Sequence, residues 1–288
     1  MFMPEKDESL ELQIKQARQF KSQHRLGNFF VIPNAWDVPS ARIFEEAGFL
    51  SIATSSAGML VSLGYHDGES IPKREFVSAV KRITMALSVP LSVDMVSGFG
   101  KSPSQVVKSV KGILETGAVG INIEDIDFAR DGLVDPEIQS RKIAALLTLK
   151  EETGIPFVIN ARTDAFSHRS GMDLESSLED AIIRSERYIE AGADCVYPMG
   201  LTDITSISHF VNSVKFPINV MIRKGLPKIS DLKKLGVTRL SFGPSASYAA
   251  MGFLLRIGKE ILERDNFNDL IEGAINYEML NSLANRKK

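Results

Sequence analysis

The stretch ETGAVGINIED, residues 115–125, decides the fold. Its first residues end a run with helical spacing, Gly117 stops that run, and residues 120–125 form a short apolar stretch closing on two acids. Glycine at such a point supplies the left-handed turn that ends a helix. A short, nearly continuous apolar run marks a strand covered on both faces. The same order recurs in EAGFLSIATS (46–55), EAGADCVYPMG (190–200) and KLGVTRLSFGP (234–244).

Working outward, apolar runs at 29–34, 50–55, 91–95, 120–125, 156–161, 195–200, 217–222 and 239–244 predict eight parallel strands. Helical spacing at 40–47, 73–86, 104–116, 139–153, 174–191, 204–214 and 229–235 lies between and after them. Alternating strand and helix implies right-handed crossovers in a parallel sheet. The fourfold echo favours an α/β fold of the closed (β/α)8 TIM type, with extra C-terminal helices, over an open doubly wound sheet. A chain of 288 residues suits one such domain. The expected division is an N-terminal helix at about 8–25, the barrel at about 29–245 and C-terminal helices at about 246–285.

Composition narrows the function. Lys and Arg number 34 against 36 Asp and Glu, for a formal charge of −2, so nothing favours nucleic acid or an anionic membrane as partner. The single cysteine, Cys195, excludes an internal disulfide and reads as buried packing. No apolar run reaches transmembrane length and the first 25 residues lack a signal-peptide core, so a cytoplasmic protein is expected. His24 and His209 read as surface residues of helices.

Barrel chemistry gathers where strands end. Asp94 and Glu124 end neighbouring strands, and a pair of carboxylates suits a hard cation such as Mg²⁺ that keeps most of its waters. Arg162, in NARTD (160–164), offers parallel donors that match a carboxylate. The same three residues would also make a purely structural ion-pair network. TSSAG (54–58) reads either as hydroxyls and backbone N–H groups for an oxo or enolate oxygen or as an ordinary tight turn. GYHDGES (64–70) reads as a surface turn unless it closes on a ligand. GFGKSPSQ (98–105) lacks the spacing of a phosphate loop.

Taken in order, PNAWD (33–37), TSSAG, LGYHDGE (63–69), VDMVSGFG (93–100), GINIED (120–125), NARTD and LGVTRLSFGP (235–244) resemble the phosphoenolpyruvate mutase/isocitrate lyase superfamily, from about residue 29 to 260. The likeness is greatest to its short, phosphonomutase-like and carboxyphosphonoenolpyruvate phosphonomutase-like members. The resemblance implies Mg²⁺, with Mn²⁺ as a substitute, and a 2-oxocarboxylate or phosphonate substrate whose C–C or P–C bond is made or broken beside an enolate. It makes Asp94 a metal residue, acting partly through water, that also meets the substrate, and Glu124 a second metal residue. Arg162 becomes the substrate-carboxylate arginine. Ser55, Ser56 and Ala57 become the turn that holds the oxo group. Asp67 becomes the aspartate of a mobile loop, and Asn219 an asparagine near the substrate. It also implies a homodimer or homotetramer with an exchanged C-terminal helix, for which Leu254, Leu255, Ile257 and Ile261 supply an apolar face.

Two departures stand out. Val96 occupies the position of a second family acid, which should weaken the metal site. The loop EDIDFARDGLVDPE (124–137) has neither the cysteine signature of isocitrate and methylisocitrate lyases nor the Lys- and Asn-bearing gate of the mutases, so those lyase activities are not expected. Two rivals remain: a degenerate barrel that binds a carboxylate without turnover, and a Schiff-base aldolase. The aldolase would need a lysine at a strand end, and none of the eight runs contains one; Lys224 lies just past the seventh.

Overall fold

Gly117 (φ 96°) and Gly236 (φ 91°) hold left-handed backbone, which side chains on an L residue disfavour, and each turns its helix into the next strand. The computed structural model describes residues 6–284; the last residue expected of the C-terminal helices, 285, lies outside them. Eight parallel strands form the barrel: β1 (Phe30–Ile32 continued by Asn34–Ala35), β2 (Ile52–Thr54), β3 (Leu91–Asp94), β4 (Gly120–Glu124), β5 (Val158–Thr163), β6 (Cys195–Pro198), β7 (Asn219–Met221) and β8 (Arg239–Ser241). Proline has no N–H to give a ladder, and Pro33 splits β1. The first piece pairs with β8 (Phe30 opposite Arg239) and the second with β2 (Asn34 opposite Ala53). That switch joins the two edges of the sheet. A single bridge, Val196 to Ile218, joins β6 to β7 and completes the ring.

The helices are α1 (Lys6–Gln23), α2 (Val38–Glu46), α3 (Ser56–Ser62), α4 (Lys73–Ala86), α5 (Pro103–Leu114), α6 (Pro136–Thr153), α7 (Leu174–Glu190), α8 (Ile204–Val214), α9 (Ile229–Leu235), α10 (Ser245–Arg264), α11 (Asn268–Glu272) and α12 (Tyr277–Ala284). Their starts are written locally. Asp37 and Ser102 make capping boxes at α2 and α5, and each helix has proline in its first turn, where no N–H is missed. Among the described residues no helix is long and apolar enough to cross a membrane.

Side chains alternate across each strand. In β4, Ile121 and Ile123 join the core between sheet and helices, while Asn122 and Glu124 line the barrel's cavity. The helix α1 packs at the other end. Gln13 Nε2 donates to Leu114 O at 2.8 Å and Ala118 O at 2.9 Å. A Cβ on Gly120 would lie 2.6 Å from the Phe20 ring, so glycine is what lets that ring approach β4.

Several expectations change. The fifth strand lies two residues later than expected, which puts Arg162 and Thr163 inside it. The TSSAG turn is the start of α3. An antiparallel hairpin (Ile126–Asp127 with Gly132–Leu133), too short to leave a periodic pattern, follows β4. His24 is not a surface residue: it is 4% exposed, packs edge-on against Phe20 and Phe30, and its Nδ1–H donates to Phe20 O at 2.9 Å. Burial and then the nearby Arg239 lower its pKa to about 3. On α10, Ile257 is buried, but Leu254 and Leu255 are each 64% exposed.

Candidate active site

One cavity of about 380 Å³ opens at the C-terminal ends of the strands and is lined by Ser55, Ser56, Ala57, Asp67, Asp94, Glu124, Arg162 and Asn219. All eight residues singled out in the sequence therefore meet in one place. Asn34, Thr54, Asn160, Asp164 and Ser241, also at or near strand ends, share it.

Asp94 ends β3 against the first turn of α3. Its Oδ2 accepts from Ser56 N–H at 3.0 Å and from Ser56 Oγ at 2.6 Å. Its Oδ1 accepts from Asn122 Nδ2 at 2.9 Å, and Asn122 Oδ1 accepts in turn from Asn160 Nδ2 at 2.9 Å. Ser55 is the N-cap of α3, with its side chain accepting from Gly58 N–H. First-turn N–H groups have no helical acceptor. With those of Ser56 and Gly58 engaged, Ala57 N–H is the donor left to the cavity.

Arg162 is held on both sides. Its Nε and Nη2 donate to Asp164 at 2.7 and 2.6 Å, and Nη1 lies 2.6 Å from Glu124 Oε2. Burial works against its charge, but Asp164 and then Glu124 outweigh it and raise its pKa well above the ordinary value. Glu124 feels the reverse: burial raises its pKa well above the ordinary carboxylate value, Arg162 opposes this, and Asp164, Asp94 and Asp67 add to it. Asp164 is fixed in turn by its own N–H, which donates to Asp125 Oδ1 at 2.9 Å. The other Asp125 oxygen takes Tyr188 OH at 2.7 Å and Arg184 Nη1 at 3.1 Å.

The loop of 64–70 is more than a surface turn. Asp67 lines the cavity, and Glu69 Oε1 anchors the loop by accepting from Ser97 Oγ at 2.7 Å and Phe99 N–H at 2.6 Å. Val96 is buried in left-handed backbone (φ 53°) and lies outside the cavity lining. A β-branched residue there is strained. Lys224 is exposed, and the cavity lining contains no lysine. Cavity residues that the sequence reading left without a role include Asn122, Asn160, Asp164, Tyr197 and Arg239. Their signal was period-2 alternation: Asn122 and Asn160 stand two places before Glu124 and Arg162, on the same face of their strands.

A resident Mg²⁺ can be tested against these donors. Asp94 already accepts three hydrogen bonds and Glu124 an ion pair. Among the described residues no group of three or more His, Cys, Asp or Glu side chains is placed to hold an ion directly. Two partly engaged carboxylates suit a cation that keeps its waters and binds through few protein oxygens. The crowding of acids around Glu124 favours a positive charge there. The residues fit Mg²⁺ bound largely through water and do not fit a zinc or calcium cage.

Comparison with known proteins agrees with the geometry. The family model for phosphoenolpyruvate phosphomutase matches residues 20–262. The uncharacterized protein Rv1998c of Mycobacterium tuberculosis (strain ATCC 25618 / H37Rv) is 33% identical over 231 residues, covering 80% of this chain and 83% of its own. The 2-methylisocitrate lyase of Escherichia coli (strain K12) is 33% identical over 186 residues, covering 62% of this chain and 60% of that one. A crystal structure from Burkholderia cenocepacia J2315, described as that of a lyase or mutase, superposes with a TM-score of 0.88 at 31% identity, over 96% of this chain and 98% of that chain. Phosphonopyruvate hydrolase, solved with oxalate and Mg²⁺, shares the fold with a TM-score of 0.79 at 24% identity, over 93% and 94% of the two chains. With the barrel, the convergent acids and these matches together, the chain belongs to the phosphoenolpyruvate phosphomutase family.

Proposed function

We propose that this protein is a Mg²⁺-dependent lyase or mutase that acts on a small 2-oxocarboxylate, or its phosphonate counterpart, by making or breaking a bond beside an enolate. The observation that carries the reading is that Asp94, Glu124 and Arg162, from three successive strands, line one cavity with the first turn of α3. Mg²⁺, when bound, would supply Lewis-acid stabilisation of negative charge on the substrate oxygens.

The chain's own groups have separable tasks. Asp94 and Glu124 hold the cation, and Ser56 and Asn122 fix the Asp94 carboxylate for it. Ala57 N–H, at the positive end of α3, faces the charge that develops on the oxo oxygen. Arg162 orients the substrate carboxylate with whatever donor capacity Glu124 and Asp164 leave it, so its position is set before substrate arrives. Asp67, on its anchored loop, adds a carboxylate to the cavity wall, and Asn219 supplies an amide from β7.

Methylisocitrate-type cleavage is disfavoured by this reading. The hairpin after β4 carries no cysteine. Cys195 is fully buried outside the cavity, and burial pushes its thiol up to about 12. A Schiff-base mechanism lacks an amine in the cavity. The degenerate-barrel reading draws on Val96, since a third carboxylate is missing where the family shows one. Turnover of any substrate sets it aside, and Mg²⁺-dependent ligand binding without turnover favours it. We further assign the exposed apolar face of α10, with Leu254 and Leu255, to contact with a second copy of the chain.

The test is a turnover screen of phosphonopyruvate, oxaloacetate and substituted malates, each with and without Mg²⁺, on wild type and Asp94→Ala. Mg²⁺-dependent turnover lost in the variant supports the proposal. Turnover and Mg²⁺ response unchanged by the substitution would overturn it.

A further inference from the structure

Three arginines line the cavity, and two are spoken for. Arg162 is gripped by Glu124 and Asp164, and Arg169 pairs with Asp131 at 2.5 Å. The third, Arg239, is 2% exposed and has no acidic partner among the described residues. Its Nε and Nη1 are both buried without a hydrogen bond. Its neighbour in the strand, Leu240, packs into the core between sheet and helices, so alternation turns Arg239 to the barrel interior. The Phe20 ring lies below it, 6.0 Å from the guanidinium carbon. A buried charge is normally paired, because desolvation is too costly otherwise, and an orphaned buried donor calls for a missing partner.

The surroundings are those of a polar chamber. Ser92 Oγ and Asn160 Oδ1 line the same cavity and are also buried without partners. Asn219 sits beside Arg239 in the sheet, and its amide suits its neighbours when the nitrogen donates to Arg239 O at 3.2 Å. The planar Arg239 guanidinium carries a full charge with no acid beside it, and a single acidic oxygen in the cavity would answer that charge. Arg162 cannot take the same part in full, since two acids already share its charge.

We propose that Arg239 forms an anion site on the floor of the barrel that receives an acidic group of the ligand. The ligand would then carry two acidic groups, as in a dicarboxylate or a carboxy-phosphonate, with one held near Arg162 and the other at Arg239. The anion site itself needs no metal; only the identity of its natural occupant rests on the proposed function.

The test uses formate as the probe anion, on the whole protein with EDTA present. Melting temperature is followed against sodium formate for wild type, Arg239→Met and Arg239→Lys, so that the difference between proteins cancels the general effect of salt. At formate well above its dissociation constant, wild type should gain roughly 5 °C over Arg239→Met. Arg239→Lys, which keeps the charge and loses the planar guanidinium, should fall between them. Equal responses in wild type and Arg239→Met overturn the proposal. Should Arg239→Met fail to fold, a crystal of wild type grown in formate and EDTA decides: formate density within hydrogen-bond distance of the Arg239 guanidinium supports the site, and water alone there overturns it. Asp94→Asn should keep the formate response, so loss of the metal reading and loss of this one are told apart.

Discussion

Ser56 donates twice to one oxygen of Asp94, through its N–H at 3.0 Å and its hydroxyl at 2.6 Å. The acid that ends β3 is thereby fastened to the positive end of the helix that follows β2. The serine sets where the carboxylate points and which lone pairs remain for a cation.

Ser56→Ala removes the stronger of the two bonds and leaves the backbone one. Partners of this kind typically carry 10–100-fold in metal affinity. The Mg²⁺ dissociation constant, measured by titration calorimetry in the presence of oxalate, should rise by at least about tenfold. Ser56→Thr should recover most of the loss. An unchanged constant in Ser56→Ala would show that the hydroxyl does not orient Asp94 for metal.

Asp164 neutralises Arg162 through two hydrogen bonds while almost wholly buried itself. Breaking a buried pair by removing one partner costs about 3–5 kcal/mol. Asp164→Ala should lower the unfolding free energy in urea by about that amount, with the lower end favoured because Glu124 still holds Nη1. Oxalate affinity should fall as well. A loss well under 1 kcal/mol with binding intact would mean that Glu124 alone positions Arg162.

His24 should give the protein an acid-labile limb. Its folded pKa is lowered from 6.5 to about 3, so between those values the unfolded chain binds a proton that the folded chain refuses. Stability from this residue is present above about pH 6.5 and is lost as pH falls toward 3, with a slope of up to about 1.4 kcal/mol per pH unit. His24→Phe should flatten that limb in urea titrations between pH 6.5 and 4. Parallel curves for the two proteins would contradict the assignment.

Cys195 should be silent. Its thiol is buried and pushed up to about 12, so the thiolate that reacts is scarce at neutral pH. Iodoacetamide should leave native protein unlabelled and its activity unchanged, while protein in urea labels fully. Rapid loss of activity in the native state would place a working cysteine in the site after all.

Much of this molecule was legible in its sequence because two signals agreed. The glycine stops at 48, 117, 192 and 236 and the apolar runs after them located strands and helices together. Strand ends then located the cavity. What escaped reading had local causes. Pro33 splits a strand whose apolar run looks unbroken. The start of α3 was open to a turn reading because Ser55, Ser56 and Gly58 suit either. An ion pair between Arg162 and Glu124 was already open in the sequence and is present, whereas the double hydrogen bond to Asp164 depends on how the chain turns at the end of β5. Arg239 opens an apolar run, and a charged residue at the head of a buried strand was itself the clue. His24 followed a polar helix, and its burial depends on Phe20 and Phe30 closing around it.

The most direct measurement is oxalate binding to the wild-type protein by titration calorimetry, with Mg²⁺ and then with EDTA, repeated on Asp94→Asn. Binding in wild type should be at least about tenfold tighter with Mg²⁺, and that gain should vanish in the variant. Oxalate affinity indifferent to Mg²⁺, or a metal gain that survives in Asp94→Asn, would contradict a cation held between Asp94 and Glu124.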